Sequence, residues 1–400
     1  MSKTKSGKSK QGSSHGENTR LVHLGRDPDA YFGLANLPVG RVSTIMYPSL
    51  QAYENPNHKF RYGRTGNPTS EAFEMAMAEL EGGYNAITAS SGLAAITTSI
   101  LAFVKTGDHI LVCDSIYPPT RQFCDDTLAR MGVEVEYYDP LIGKGIGKLI
   151  RRNTALIYME SPGSATFEVQ DVPAIVLEAK KKGVTTMIDN SWSGGLIFKP
   201  INHGVNVSVQ SVTKYVGGHS DVSLGIAIAD SHKTYKTLKR GALNLGTCAA
   251  PDELWLALRG LRTMAVRMKQ NAQNAMKIAQ WLEKRPEIKR VYYPPLKSDP
   301  NYKLWKRDFS GANGLIAILL KEAPKKAVYD FVNGLKLFPI GSSWGGYESL
   351  LQPQYLEKFR SAVPWTEKGA CLRFQIGLED PEDLIADLEK GFERFRKASR

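Results

Sequence analysis

The stretch SVQSVTKYVGGHSD, from Ser208 to Asp221, decides how this sequence is interpreted. A β-branched run leads into Lys214, and hydroxyls, glycines and a histidine surround the lysine. A lysine amine that is buried where a strand ends is poorly solvated, so its pKa falls and it becomes nucleophilic toward carbonyl groups. An isolated lysine more often extends its amine to the surface, but that interpretation does not explain the hydroxyls of Ser211 and Thr213 beside it. We therefore treat Lys214 as a candidate reactive amine.

Short apolar runs alternate with helical segments on both sides of this stretch. The strand-like runs are YNAITAS (84–90), HILVCD (109–114), VEVEYYD (133–139), ALIYMES (155–161), TTMIDNS (185–191), VSVQSVT (207–213) and LGIAIAD (224–230). The helical segments are 70–83, 93–107, 118–132 and 172–183. This alternation predicts an α/β fold with a large, mostly parallel sheet that is covered by helices on both faces.

The pattern changes near residue 250. A long helical stretch at 251–285 is followed by strand-like runs at 291–294, 314–320 and 371–377 and by amphipathic segments at 326–335 and 381–399. We expect a smaller C-terminal α+β domain. The predicted organisation is an N-terminal arm (1–60), a large domain (61–260) and a C-terminal domain (261–400). The first 19 or so residues of the arm are rich in Lys, Ser and Gly, and we predict that they are disordered.

Composition and charge limit the classes of function. The 400 residues carry a net charge of +12, and 42% are hydrophobic and 23% charged, which is typical of a globular protein. Four lysines lie within the first ten residues and the others are spread along the chain. Charge without a motif is weak support for nucleic-acid binding, which stays a remote alternative. An anionic substrate or cofactor is a simpler use of the charge.

Other classes are also disfavoured. No apolar run reaches the roughly 20 residues of a membrane-spanning helix, so no membrane contact is expected. The N-terminus contains no secretory-type apolar segment, which predicts a cytoplasmic protein. Four cysteines stand far apart without zinc-like spacing, so we expect reduced thiols and no bound metal. These cysteines are Cys113, Cys124, Cys248 and Cys371.

Ligands of open α/β sheets bind beyond the carboxyl ends of the strands, so we inspect the residues there. Gly92 and Leu93 open a helix, where backbone amides favour an anion, although an ordinary tight turn explains them equally well. Tyr117 stands in a proline-rich turn and could stack on a planar ring, although a half-buried tyrosine is the commoner case. Asp189 ends a buried strand, where a carboxylate needs a cationic partner.

One ligand would use these groups together. Pyridoxal 5′-phosphate (PLP) has an aldehyde for a lysine amine, a ring nitrogen for a carboxylate and a phosphate for a helix N-terminus. Ser211 and Thr213 could donate their hydroxyls to that phosphate. The residues thus predict a PLP site in which Lys214 holds the cofactor covalently.

The motifs also resemble a known family, the Cys/Met-metabolism PLP-dependent enzymes. The resemblance is carried by YGRTGNPT (62–69), ESPGS (160–164), DNSW (189–192), SVTKYVGGHSD (211–221) and SWGGYES (343–349), and it runs from about residue 20 to the C-terminus. It implies the aspartate-aminotransferase-like architecture called fold type I. It also implies a homotetramer, built as a dimer of dimers, whose subunits share active sites and whose N-terminal arm reaches the neighbouring subunit.

The resemblance implies roles for individual residues. Lys214 matches the Schiff-base lysine, which also takes the α-proton, Asp189 matches the partner of the ring nitrogen, and Tyr117 matches the stacking tyrosine. Arg373 matches the arginine that binds the substrate α-carboxylate. The remaining matches are to phosphate ligands in Gly92, Leu93, Ser211 and Thr213, to phosphate contacts with the neighbouring subunit in Tyr62 and Arg64, and to substrate contacts in Ser343 and Trp344.

Within the family, the chain looks most like the bacterial cystathionine β-lyases. Trp192, DPLIG (139–143), LWKRDF (304–309), SWGGYESL (343–350) and IGLEDPEDLIADLE (376–389) carry this likeness. It implies cleavage of L-cystathionine to homocysteine, pyruvate and ammonia, in methionine biosynthesis.

The chain also departs from these β-lyases. Ser342 and Leu243 replace tyrosines that such enzymes often carry, and RTGNPT (64–69) is closer to the γ-lyases and γ-synthases, which form the main alternative. A pocket altered at Ser342 and Leu243 could also support cysteine desulfhydrase or alanine racemase side activity.

Overall fold

A seven-stranded sheet is the frame of the larger part of the protein, in a computed structural model that describes residues 15–400. Its strands are β1 (Asn85–Ala89), β2 (His109–Cys113), β3 (Glu134–Tyr138), β4 (Thr154–Glu160), β5 (Thr185–Asp189), β6 (Val207–Ser211) and β7 (Gly225–Ala229). Their order across the sheet is β1-β7-β6-β5-β4-β2-β3. Only β7 runs antiparallel to its neighbours β1 and β6. The predicted mostly parallel α/β sheet is confirmed.

Helices α3 (Pro68–Glu81), α4 (Gly92–Phe103), α5 (Pro118–Gln122), α6 (Val172–Lys182), α7 (His232–Leu245) and α8 (Pro251–Leu282) belong to this larger part and cover its sheet. Two shorter helices, α1 (Glu17–His23) and α2 (Leu50–Glu54), lie in the N-terminal arm. Local chemistry explains their ends. The Asn67 side chain accepts hydrogen bonds from the amides of Thr69 and Ser70 to start α3, and Gly82 ends that helix in the left-handed conformation.

Two helical segments differ from expectation. The segment 118–132, expected to be one regular helix, is α5 followed by a π-helical turn at Phe123–Leu128. Helix α7 was missed because its buried face is narrow. Only Thr234, Leu238 and Ala242 of α7 are buried, among many charged residues.

The N-terminal arm is partly helical. Residues 1–14 of the segment that we expected to be disordered lie outside the described residues. From Glu17 the chain forms α1, so residues 17–19 are helical where we expected disorder. Leu21 of α1 is 1% exposed, and Arg262 of α8 donates a hydrogen bond to its carbonyl at 3.2 Å. Burial of this leucine explains why a short helix is held here.

The C-terminal part is a four-stranded antiparallel sheet packed against helices. Its remaining elements are β8 (Ile288–Tyr292), α9 (Tyr302–Asp308), β9 (Leu315–Leu320), α10 (Lys325–Asn333), β10 (Leu350–Gln354), β11 (Cys371–Gln375) and α11 (Pro381–Ala398), and the strand order is β10-β11-β9-β8. The predicted smaller α+β layer is confirmed, although strand β10 was not expected.

Helix α8 joins the two parts. Its residues up to Met268 belong to the core of the large sheet, whereas Ala275 begins the C-terminal core. The side chains of strand β9 also contact both cores. Leu315 and every second residue after it face the core of the large sheet, whereas Ile316 and every second residue after it face the C-terminal core. The division at 260/261 remains our proposal, and it cuts α8 about two turns before this change of core. Among residues 15–400, no helix has the length and apolar character needed to cross a bilayer.

Candidate active site

The segment that follows β6 is a tight turn held by backbone hydrogen bonds and by helix α8. The amide of Lys214 donates to the Ser211 carbonyl at 3.2 Å, and the amide of Gly218 donates to the Lys214 carbonyl at 2.7 Å. Arg267 of α8 donates to the Tyr215 carbonyl at 2.9 Å. We call residues 211–221 the lysine turn. Helix α8 therefore fixes the backbone that carries Lys214.

The amine of Lys214 faces residues 342–349, which we call the serine loop. Lys214 Nζ donates to Ser343 Oγ at 3.0 Å and lies 5.4 Å from the centroid of the Trp344 ring. Burial lowers the pKa of Lys214 to about 8, helped by the nearby Arg373 cation and opposed by Asp189. An amine with this pKa is in part neutral near physiological pH, as a nucleophile or a general base requires.

Asp189 ends β5 and is 8% exposed. One carboxylate oxygen accepts a hydrogen bond from the Ser191 amide at 2.9 Å. Burial raises the pKa of Asp189, whereas the Ser191 hydrogen bonds and the Lys214 amine lower it. A cation placed against this carboxylate would favour its ionised form, and a protonated pyridine nitrogen is such a cation.

The N-terminus of α4 and the lysine turn form a cradle for an anion. Ser91 caps α4 by accepting a hydrogen bond from the Ala94 amide at 3.1 Å, and the first-turn amides of Gly92 and Leu93 have no acceptor inside the helix. A Cβ atom at position 92 would lie 2.6 Å from Ser211 Oγ, so glycine permits this close approach. The amides and the Ser211 hydroxyl can therefore serve one phosphate group.

Thr213 is occupied within the protein. Its hydroxyl donates to the Leu224 carbonyl at 3.2 Å and accepts from the Leu224 amide at 3.0 Å. To donate to a phosphate, Thr213 would have to release the carbonyl. Its expected role as a phosphate ligand stays a prediction.

Tyr117 lies between β2 and α5 and keeps 43% of its surface exposed. Its backbone amide donates to Glu160 Oε2 at 2.7 Å, so the end of β4 holds the turn that carries the tyrosine. Burial raises the pKa of the phenol, and the charges of Asp189 and Glu160 raise it further. The phenol therefore stays protonated at neutral pH, and its accessible ring suits stacking on a planar cofactor.

Arg373 lies on β11 and has no acidic partner among the ion pairs of residues 15–400. Its guanidinium donates to the Gln352 side chain and, at 3.5 Å, to the Ser343 carbonyl. Burial lowers its pKa to about 10, so the guanidinium remains charged at neutral pH. A part-buried cation that lacks a carboxylate partner suits the α-carboxylate of an amino acid. Gln352 was missed in the sequence, because Pro353 beside it argued against the strand β10 that carries it.

Tyr62 and Arg64 lie apart from these groups. Tyr62 is 47% exposed, and Arg64 donates to the Leu243 carbonyl at 3.2 Å. Arg64 and Leu243 line the same shallow cleft. In the described chain, no hydrogen bond joins Tyr62 or Arg64 to Lys214. Both residues lie at the surface, and their expected contact with a neighbouring subunit stays a prediction.

Comparison with known proteins gives the class. A family model described as Cys/Met metabolism PLP-dependent enzyme matches residues 18–393. The chain belongs to this family, as the motifs predicted, and pyridoxal 5′-phosphate is its cofactor.

Individual relatives are similar over nearly the whole chain. A cystathionine β-lyase of Bordetella avium is 41% identical over 94% of this chain and 97% of its own length. An L-alanine/L-glutamate racemase of Wolbachia pipientis is 40% identical over 95% of this chain and 97% of its own. The crystal structure of a cystathionine γ-synthase from Xanthomonas oryzae pv. oryzae, in complex with aminoacrylate and cysteine, has a TM-score of 0.90 at 28% identity and covers 96% of this chain and 100% of that one.

The structure thus brings one set of predicted residues together and leaves another apart. Lys214, Ser343, Trp344 and Arg373 are joined by direct contacts. The cradle of Gly92, Leu93 and Ser211 adjoins the lysine turn, and Asp189 ends the strand next to β6. These residues fit PLP, which when bound withdraws electrons from the α-carbon of an amino acid.

Burial of the Lys214 amine lowers the free energy of unfolding of the cofactor-free protein. Its pKa near 8 lies below the ordinary 10.5, so its charged amine destabilises the folded chain at neutral pH. We expect Lys214→Met to stabilise the cofactor-free protein by about 1–3 kcal/mol at pH 7. The gain should shrink as pH rises from 8 toward 10.5, because the folded wild type then holds its lysine neutral while the unfolded chain still binds the proton.

Thermal unfolding of both proteins across this pH range measures the effect. The control is Lys326→Met, at an exposed helical lysine paired with Asp330, which should change stability by less than about 0.5 kcal/mol. A gain for Lys214→Met that is constant from pH 7 to 10.5 would contradict the assignment of a buried, charge-penalised amine.

Proposed function

We propose that this enzyme is a carbon–sulfur β-lyase that converts L-cystathionine and water to homocysteine, pyruvate and ammonia. The observation that carries the proposal is the contact between the Lys214 amine and Ser343, beside an arginine that has no carboxylate partner in the described chain. This arrangement can bind an amino acid by its α-carboxylate and present its α-proton to an amine. The Bordetella avium relative, which is named a cystathionine β-lyase, supports the choice of substrate.

Each residue has a task in this reaction. Arg373 binds the α-carboxylate. Because Arg373 and Lys214 both contact Ser343, a substrate held by the arginine lies close to the lysine. Lys214 removes the α-proton, and Ser343 Oγ orients its amine for that transfer. Asp189 would hold the ring nitrogen of bound PLP in its protonated form. The sulfur then leaves the β-carbon with the C–S electron pair and is released as homocysteine, and hydrolysis of the remaining three-carbon fragment gives pyruvate and ammonia.

The assembly is also a proposal. We propose a homotetramer in which the arm, Tyr62 and Arg64 reach the phosphate of a neighbouring subunit. Large apolar side chains on the arm support a subunit contact, since Phe32 is 99% and Met46 is 90% exposed. We place the enzyme in the cytoplasm, in keeping with its four free cysteine thiols.

Product analysis tests the proposed reaction. Purified, PLP-loaded protein should form pyruvate and homocysteine in equal amounts from L-cystathionine. Lys214→Ala should lower turnover by at least about 10³-fold, because Lys214 is the amine that lies beside Ser343 and Arg373. Arg373→Lys is the partial variant. It keeps the charge but not the two-pronged grip, and it should raise KM more than it lowers kcat.

The products separate the proposal from its main alternative. 2-Oxobutyrate with cysteine would assign the chain to the γ-lyases, and new cystathionine made from an activated homoserine would assign it to the γ-synthases. Intact L-cystathionine would remove the substrate from the proposal.

Racemisation is a second candidate function. It is favoured by the Wolbachia pipientis relative, which is named an L-alanine/L-glutamate racemase, and by the aliphatic Leu243 beside Arg64. An amino acid without a β leaving group loses its α-proton to Lys214 and can regain one on either face.

Incubation of L-alanine in D₂O tests this second function. D-alanine that carries deuterium at Cα should appear, and the Lys214→Ala variant should not form it. L-alanine that keeps both its configuration and its α-hydrogen would exclude racemisation. Deuterium uptake with retained L configuration would show that the proton returns to one face only.

A further inference from the structure

Two carboxyl groups stand side by side at the cofactor edge of the large sheet. Glu160 is the last residue of β4 and Asp189 the last residue of β5, and the two are directly paired in the parallel register. Paired residues of neighbouring strands project from the same face of a sheet. Both residues are 8% exposed. Two buried carboxylates at paired positions of neighbouring strands do not both ionise without a large electrostatic cost, so one of them tends to hold a proton.

The contacts distinguish the two carboxyl groups. Glu160 Oε2 accepts the Tyr117 amide at 2.7 Å, and Glu160 Oε1 lies 2.6 Å from Ser164 Oγ. Asp189 instead accepts the Ser191 amide and faces the Lys214 amine. A proton on Glu160 Oε1 can be donated to the Ser164 hydroxyl, while Oε2 continues to accept from the backbone.

Other charged groups around Glu160 do not supply it with a dedicated counter-ion. The titratable and charged groups that face it are Asp189 on β5, Cys113 on β2, Tyr117 after β2, Tyr158 on β4, Arg360 after β10 and Arg373 on β11. Arg360 donates to both carboxylate oxygens of Glu168, at 3.0 and 3.2 Å, and so has its own partner. Cys113 and Tyr158 are fully buried, and burial raises the pKa of both.

We propose that Glu160 is a positioning residue that acts as a neutral carboxylic acid. It carries the proton of the Glu160–Asp189 pair, leaves Asp189 ionised for the ring nitrogen that PLP would bring, and holds the turn that carries Tyr117 through the Tyr117 backbone amide. This role rests on the proposed assignment of Asp189 and Tyr117 to PLP, but not on which amino acid is the substrate.

The proposal gives a pH dependence with a defined sign. Burial, and then the charge of Asp189, raises the pKa of Glu160 from 4.5 to about 8. Between these two values the folded protein binds a proton that the unfolded chain has lost, so stability falls as pH rises. Above pH 8 Glu160 adds a second negative charge beside Asp189, and we expect cofactor binding to weaken there.

Two substitutions separate the neutral acid from a carboxylate. In Glu160→Gln, the amide oxygen can accept from Tyr117 and the amide NH₂ can donate to Ser164, which mimics the protonated acid. Glu160→Ala removes both contacts. We expect Glu160→Ala to weaken PLP binding to the full chain at least tenfold and Glu160→Gln by no more than about threefold. Titration of PLP, followed by the near-UV circular dichroism of the bound cofactor, measures both.

The second readout is stability against pH. The melting temperature of the PLP-loaded wild type should fall from pH 6 to 9, and the fall should be smaller in Glu160→Gln. Asp387→Asn is the matched control, because Asp387 is also buried and accepts two backbone amides, from Lys336 and Leu337, in the C-terminal core. It should lower the melting temperature without changing the cofactor dichroism or the pH dependence.

The outcomes are separable from those of the proposed function. Weak PLP binding in Glu160→Gln, equal to that of Glu160→Ala, would overturn the inference, because it would mean that the negative charge is required. An unchanged pH dependence in Glu160→Gln would overturn it as well. A wild type that binds PLP but forms a product other than pyruvate would remove the proposed function and leave this inference intact.

Discussion

The site depends on a lysine amine that is held where its charge is poorly solvated. No ion pair is formed by Lys214 in the described chain, and its hydrogen-bond partner is a neutral serine hydroxyl. The backbone beneath it cannot move away, because α8 packs so closely that a Cβ at Gly260 would lie 2.3 Å from the carbonyl oxygens of Val216 and Gly217. The tightly packed helix thus keeps the Lys214 amine buried, and burial lowers the pKa of the amine so that it can act as a nucleophile or base.

The other charges of the site follow the same logic. Arg373 is held by an amide and a carbonyl and Asp189 by a backbone amide, and among residues 15–400 neither forms an ion pair, although the Lys214 amine lowers the pKa of Asp189. Each lacks the partner that a bound amino acid or cofactor would bring. Such a site lowers the free energy of unfolding of the protein, and ligand binding raises it again. The shared proton that we propose for Glu160 belongs to this arrangement, because it would keep Asp189 charged without adding a second charge.

Much of this could be predicted from the sequence, for identifiable reasons. Asp189 ends an apolar run and Lys214 directly follows one. Because the carboxyl ends of parallel strands meet at one edge of the sheet, both could be placed in one site. Arg373 was predicted from its match to the arginine of the family that binds the substrate α-carboxylate. Gln352 could not be predicted, because Pro353 argued against its strand. Glu160 was noticed only as part of a motif, because its pairing with Asp189 depends on strand register, which a sequence does not display. The contacts of Thr213 with Leu224 likewise depend on the close approach of distant segments.

The most direct test of this account is the chemical identity of the lysine that holds the cofactor. Borohydride reduction of the PLP-loaded protein, followed by proteolysis and mass spectrometry, fixes the cofactor to the residue that binds it. The account predicts a single modified peptide, the one that contains Lys214. Modification at another lysine, or a reduced protein without any modified peptide, would contradict it.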